Sequence, residues 1–241
     1  MSDLKKITGR PSAEEEQRLN MSESFRKILD LSSGDSQNAG IKPITFVRQV
    51  IAGCTYPRML QGDALPPDAR LRAQKLLSHF DGGSIGSYTE SCGVMYVRNT
   101  IAKSISLRDG GVLCSPEQIF ITADTQRALM VYQDTVFADG SEFVSYKRVL
   151  AEMGEPYSGR VQLASMHSLS NGIMGECGFR TGYMEMVNVD EAVMLYIEIL
   201  LTGDLCPPVI GQIALDVMAD PPCPGEPSYS LYTRLTIVTL V

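Results

Sequence analysis

The clearest pattern in the sequence is the return of apolar residues every three or four positions, which is the spacing of one helix face. Near the start, Ser12 and Glu15 form a capping box before a ragged apolar stripe, which predicts one or two helices. Proline and glycine bound the later stretches, since proline favours the first turn of a helix and glycine its end. The later helices are predicted at residues 44–53, 67–80, 94–105, 190–201 and 208–218.

Three short apolar runs between these stretches are predicted as strands, at residues 119–122, 161–165 and 183–187. Strands that alternate with helices favour an α/β sheet. The segment 231–241 (LYTRLTIVTLV) is also β-prone and nearly uncharged, so as a free tail it would promote aggregation. We therefore expect something to cover it.

Composition narrows the function classes only slightly. The chain has 241 residues and a net charge of -7, which does not favour a nucleic acid or an anionic membrane as partner. No stretch approaches the ~20 apolar residues of a spanning helix. The six cysteines are scattered without a CxxC pair, and the start lacks the apolar core of a secretory signal. These features predict reduced thiols and a cytoplasmic protein, without a metal site.

The strongest chemical signal is the glycine-rich loop from His167 to Arg180 (HSLSNGIMGECGFR), which follows a predicted strand. Hydroxyl donors, one arginine and close backbone approach are what a phosphate group requires. The same spacing also fits a surface loop with a solvated arginine. A second candidate is the turn from Thr122 to Thr125, where a helix N-terminus could bind an anion, although a plain N-cap fits equally well and Asp124 would repel the anion.

Several segments resemble one known family when they are taken together. They are KPITFVRQV at 42–50, GGSIGSY at 82–88 followed by Gly93 and Arg98, VYQD at 131–134, the loop at 167–182, and LCPPV at 205–209. In this order they resemble the alanine aminotransferases, from about residue 7 to about residue 228. The resemblance implies part of a fold-type-I large domain, α/β with an incomplete sheet and flanking helices. It also implies a homodimer, pyridoxal 5'-phosphate as cofactor, and amino transfer from alanine to 2-oxoglutarate.

The resemblance also identifies a lost catalytic residue. The family's Schiff-base lysine follows a Ser-x-Ser motif, but here Ser168-Leu169-Ser170 is followed by Asn171. An asparagine amide can neither bond covalently to the cofactor nor act as a base near neutral pH. The sequence therefore predicts that transamination is lost.

A large internal segment of the family is predicted to be missing near residues 130 and 131. In the family it carries an aromatic that stacks on the cofactor ring, an asparagine, and an aspartate that pairs with the pyridine nitrogen. Aligned from the right of the join, Leu129 takes that aspartate's position, and aligned from the left, residues 126–130 continue the preceding helix. Neither alignment supplies a carboxylate. The small domain, with the arginine that binds the substrate carboxylate, is also expected to be absent.

Five residues match family positions that bind the cofactor, and we call them the cofactor cup. Ser168 and Arg180 match phosphate ligands, and Tyr132 matches the tyrosine that bonds the cofactor's phenolic oxygen. Tyr88 matches a tyrosine that reaches the phosphate from the partner subunit. Thr125 keeps its hydroxyl, but Asp124 before it would cost on the order of a few kcal/mol beside a phosphate.

The predicted organisation has three parts. Residues 1–40 form an N-terminal helical arm and loop, residues 41–228 the partial large domain with its internal deletion, and residues 229–241 an unmatched apolar tail. We expect an inactive relative of alanine aminotransferase whose sheet exposes an edge, so a stable monomer is not expected. Two alternatives are an interaction module that pairs with a full-length family subunit, as a heterodimer, and a weakly active transaminase.

Overall fold

The computed structural model describes residues 37, 40–123, 143–170, 174–203 and 205–238. The predictions for residues 1–36, including the capping box at Ser12, lie outside the described residues. The helices are α1 (Thr45–Thr55), α2 (Pro67–Leu77), α3 (Met95–Arg108), α4 (Tyr146–Met153), α5 (Glu191–Thr202), α6 (Val209–Ala219) and α7 (Tyr229–Val238). The strands are β1 (Ile119–Thr122), β2 (Leu163–Ser168) and β3 (Gly182–Val187).

The helices predicted from apolar spacing after residue 43 are confirmed, and so are their buried faces in α2 and α3. Ala69, Ala73 and Leu76 of α2 are fully buried, and Val97 and Ile101 of α3 are buried with them. Helix α1 packs on α2 and α6, while α3 packs on α6 and on β1. The helical spacing of apolar residues thus predicted both the positions of these helices and the faces that they bury in the core.

The sheet has the order β1-β3-β2, with β3 antiparallel to both neighbours, so β1 and β2 run in the same direction. Ile119, Ile121 and Tyr183 lie on the face that packs into the helical core. Gly93 approaches this face so closely that a Cβ would lie 2.6 Å from Ile121, which together with its positive φ excludes larger residues there.

The strand predicted at residues 161–165 is shifted, because β2 runs from Leu163 to Ser168. Val161 belongs to the preceding turn, where its backbone N–H donates to the carbonyl of Tyr157 at 3.0 Å. The side-chain amide of Asn188 also donates to the carbonyl of Val161 at 2.9 Å. These bonds hold Val161 out of the ladder.

Two helices depart from the sequence-based expectations. Helix α4 was not predicted, although the Ser145 hydroxyl caps it by accepting from the Arg148 backbone N–H at 3.0 Å. The tail expected to be β-prone is instead helical as α7 up to Val238, so that expectation was wrong there. Tyr232 of α7 is buried edge-on against Phe46 of α1, with ring centroids 6.4 Å apart. This packing outweighs the β propensity of the tail's branched residues.

Helix α5 was predicted to have a broad apolar face, and none of its residues is buried. Tyr196 is 68% exposed and Leu200 76% exposed. The helix begins at Asp190, whose carboxylate accepts from the Ala192 backbone N–H at 2.8 Å. An apolar face therefore remains open on the part of the chain that the structure describes.

Candidate functional site

The sheet brings the ends of three strands into one row. Thr122 at the end of β1 and Ser168 at the end of β2 are both in register with Gly182 at the start of β3. The segments that follow β1 and β2 therefore leave the sheet on the same side, at the carboxyl ends of these two strands. This is the arrangement that gathers hydroxyls and backbone donors around one ligand in open α/β sheets.

Ser168 lies at the floor of this edge and is only 1% exposed. Its hydroxyl oxygen accepts a hydrogen bond from the backbone N–H of Ser170 at 3.0 Å. The hydroxyls of Ser170 and Thr122 are buried and have no hydrogen-bond partner among the described residues. Buried hydroxyls are normally satisfied, so these two are donors available to a polar ligand.

The loop after β2 is closed by backbone bonds. The N–H of Leu169 donates to the carbonyl of Thr181 at 3.1 Å, and the N–H of Glu176 donates back to the carbonyl of Leu169 at 2.8 Å. Arg180 precedes β3 with a left-handed φ of 50° and is exposed. Its guanidinium donates to the carbonyl of Cys177 at 3.0 Å. The loop thus carries a positive charge two residues before the row that contains Ser168.

Of the other three members of the cofactor cup, the structure describes only Tyr88. Tyr88 is 71% exposed in the loop before α3. Thr125 and Tyr132 lie outside the described residues, as do Asp124 and Asn171. The structure therefore brings Ser168 and the Arg180 loop to one edge, and the roles assigned to all five cup residues stay predictions.

A buried carboxylate beside this loop was not predicted from the sequence. Glu176 is 2% exposed, and its Oε2 accepts from Arg48 at 2.7 Å and from Gln37 at 2.9 Å. Burial raises the pKa of Glu176, and the Arg48 guanidinium opposes the rise. The guanidinium also stacks on the ring of Phe179 at 4.8 Å. These groups line a cavity of about 330 Å³. The bond between Arg48 and Glu176 joins α1 to the loop after β2. Local sequence patterns could not predict this contact, because the two residues are far apart in the sequence.

A second buried pair lies on the core face of the sheet. The Lys147 ammonium of α4 donates to the Glu185 carboxylate of β3, and both side chains are almost fully buried. Glu185 is in register with Ser165 of β2, an odd number of residues from Ser168. Because side chains alternate along a strand, Glu185 and its lysine lie on the opposite face of the sheet from the Ser168 hydroxyl.

The described residues include no group of histidine, cysteine, aspartate and glutamate that could hold a metal ion. His167 instead stacks on Tyr183, with ring centroids 5.5 Å apart. Among the helices of the described segments, none has the length and apolar character required to cross a membrane.

Comparison with curated proteins identifies the relatives of this chain. Alanine aminotransferase 1 of Rattus norvegicus is 31% identical over 327 residues, which cover 91% of this chain and 66% of that protein. Alanine aminotransferase 2-like of Danio rerio is 31% identical over 329 residues, which cover 92% of this chain and 60% of that protein. The chain thus spans less than two thirds of the length of these relatives. Each aligned stretch is longer than the whole chain of 241 residues, so the relatives contain internal residues without a counterpart here.

The fold agrees with this relationship. No family model matches the chain. A solved aminotransferase from Escherichia coli superposes with a TM-score of 0.56 at 12% identity, covering 88% of this chain and 68% of that chain. The three-stranded sheet with flanking helices is part of a fold-type-I large domain. The sequence relatives and the shared fold together show that the chain belongs to the alanine aminotransferase family.

Proposed function

We propose that this chain is a catalytically inactive relative of the alanine aminotransferases. The observation that carries the proposal is Asn171, which follows Ser168-Leu169-Ser170 where the family has its Schiff-base lysine. No lysine follows Lys147 in the sequence, so a neighbouring position does not supply the amine either. Without that amine, covalent attachment of the cofactor and the proton transfer that depends on it have no residue to perform them.

Lys147 is the nearest lysine in sequence, but its position argues against a substitute role. Its ammonium is buried and paired with Glu185, which lies three residues along β3 from Gly182, or about 10 Å. The pair also lies on the sheet face opposite to the Ser168 hydroxyl. Moving Lys147 to the cup would leave the Glu185 carboxylate buried without its cation, which is strongly unfavourable.

Pyridoxal phosphate is the cofactor that family membership implies, and the residues present fit only part of it. The phosphate end is favoured by the unpartnered hydroxyls of Ser170 and Thr122, by Ser168, and by the charge of Arg180. The part of the cofactor that forms the Schiff base has no matching residue, because Asn171 does not supply the lysine amine. The proposed internal deletion also removes the aspartate that would pair with the pyridine nitrogen. We therefore assign no reaction step to this chain.

The test separates loss of chemistry from loss of binding. The purified chain is incubated with pyridoxal phosphate, reduced with borohydride and analysed by peptide mass spectrometry. We expect no label on residues 168–182 and no pyruvate from alanine and 2-oxoglutarate. Pyruvate formation that depends on added pyridoxal phosphate would refute the proposal.

An Asn171→Lys variant provides the matched comparison. If the cup still holds the phosphate, this variant gains the borohydride-dependent label but not transamination, since the other catalytic groups act with the lysine as a unit. In that background, Ser168→Ala and Arg180→Ala should each reduce the labelling. Transamination within a few orders of magnitude of a family enzyme would show that the missing segment matters less than we propose.

A second candidate function is pairing with a full-length family subunit. It is favoured by Tyr88, which matches the tyrosine that reaches the partner's phosphate and is 71% exposed. Co-expression of this chain with a full-length alanine aminotransferase should then yield a mixed dimer, and Tyr88→Ala should alter the activity of the longer subunit. Recovery of the two chains only as separate species would exclude this role.

A further inference from the structure

A cleft of about 660 Å³ lies between the sheet, the start of α3 and α5. We call it the acidic groove. Its floor is apolar and rich in methionine, and its rim carries carboxylates. The apolar floor consists of Met95, Phe120, Met186, Met194 and Leu195.

The floor continues onto the open face of α5. Leu195 is 57% exposed, and the neighbouring side chains Tyr196 and Ile199 are exposed as well. The flexible methionine side chain fits irregular apolar partners. A contiguous exposed apolar patch is typical of an interaction site. A groove beside an exposed helix is the geometry that receives the apolar face of a second helix.

The rim is negative. Glu117, Glu191 and Glu198 line the groove, while its cation, Arg98, is already held by Glu90 at 2.6 Å and by the carbonyl of Gly93 at 2.9 Å. A hydrogen bond from the Ser115 hydroxyl holds the pKa of Glu117 below its usual value. Within the described part of the chain, the rim therefore carries three carboxylates that form no ion pair.

This charge argues against the chain's own remaining segments as occupants. Residues 1–36 contain seven acidic residues against six basic ones, and residues 124–142 contain four against one. A second copy of the chain, with a net charge of -7, would also meet the groove with charge of the same sign. Like charges across an interface oppose association, so the complementary occupant is basic.

We propose that the acidic groove binds a basic amphipathic helix of another protein. The apolar side of that helix packs on Met95, Phe120 and Met194 and on the face of α5. Its lysine or arginine residues lie against Glu117, Glu191 and Glu198. Tyr88, Ser168 and Arg180 do not line this groove, and the proposal does not rest on the inactivity proposed above.

The test uses a labelled peptide of leucine and lysine arranged at helical spacing, titrated with the full chain and followed by fluorescence anisotropy. We expect saturable binding that weakens with added salt. A leucine–glutamate peptide of the same pattern should not bind, and a scrambled leucine–lysine peptide should bind more weakly because it presents no continuous apolar face.

Charge-reversal variants locate the site. Glu117→Lys and Glu198→Lys should each weaken binding about tenfold, and Leu195→Ser should weaken it without changing the charge. Glu152→Lys is the control, since Glu152 is exposed on α4 and outside the groove. Circular dichroism checks that each variant is folded.

Three outcomes of the peptide titrations would overturn the proposal: no saturable binding of the leucine–lysine peptide, equal binding of its scrambled form, or the same loss in Glu152→Lys as in Glu198→Lys. A chain that is dimeric by sedimentation and becomes monomeric in Leu195→Ser would show that a second copy occupies the groove, which also overturns it.

Discussion

The buried pair between Lys147 and Glu185 offers the sharpest test of what holds the described part of this chain together. The substitution is Lys147→Met, which keeps most of the apolar stem and removes the charge. Glu185 is 0% exposed, and its Oε2 has no hydrogen-bond partner among the residues that the structure describes, so the lysine is the main compensation for its charge. The carboxylate also affects its surroundings: burial, followed by the charge of Glu185, raises the pKa of the Cys114 thiol to about 12.

The magnitude follows from desolvation. Removing one partner of a buried ion pair typically costs about 3–5 kcal/mol, because the remaining charge is left in a medium that solvates it poorly. We expect a loss of this size in the free energy of unfolding of Lys147→Met at neutral pH.

The assay is urea unfolding followed by circular dichroism, with two comparison variants. Arg148→Met changes the adjacent residue of the same helix, whose pair with Glu152 is partly exposed, and should cost no more than about 0.5 kcal/mol. The double variant Lys147→Met/Glu185→Leu removes both charges and should recover most of the loss. If Lys147→Met is no worse than Arg148→Met, or if the double variant is as unstable as the single one, the reasoning is refuted.

Four further predictions concern the buried contacts of helices α6 and α7. Burial raises the pKa of the Asp216 carboxyl in the folded chain above its value in the unfolded chain. The protonated carboxyl therefore contributes to the free energy of unfolding in full below the pKa of Asp216 in the unfolded chain. This contribution is lost as the pH rises through the pKa of Asp216 in the folded chain. In urea unfolding across this range, Asp216→Asn should lack that fall, and an unchanged pH profile would contradict the assignment. A Cβ on Gly211 would lie 1.8 Å from the Thr181 hydroxyl, so Gly211→Ala should lose about 1–3 kcal/mol, while Gly178→Ala, with open space around it, should not. Tyr232→Ala should lose about 3 kcal/mol by removing the ring that covers Phe46, and removal of residues 231–241 should promote self-association, measured by light scattering. If the truncated chain scatters light no more than the full chain does, α7 is dispensable.

The sequence by itself determined most of the local structure of the described region. The apolar spacing located α2 and α3 together with their buried faces, because a helical period depends only on neighbouring residues. It also located β1 and β3. The Ser168-Leu169-Ser170-Asn171 motif carried part of the resemblance to the family, and the loss of the family's lysine at Asn171 stays a prediction made from that motif.

Other features depended on tertiary contacts. The branched residues after Leu231 favour a strand locally, yet α7 forms because Tyr232 is buried against Phe46, and α4 was missed because its apolar face is short. The register that aligns Thr122 with Ser168 across Gly182 requires three strands to pair. Periodicity carries no information about such pairings.

The ion pairs of the two buried glutamates show the same limit most clearly. Arg48 and Glu176 are 128 residues apart, and Lys147 and Glu185 are 38 apart, so no local pattern links either pair. Each pair forms only when the fold buries the carboxylate beside its cation, and Lys147 is buried with Glu185 whereas the Arg48 side chain stays 39% exposed. Most of the secondary structure could therefore be predicted from the sequence. The position of Lys147 on the sheet face opposite to Ser168 could not, because it depends on the tertiary structure.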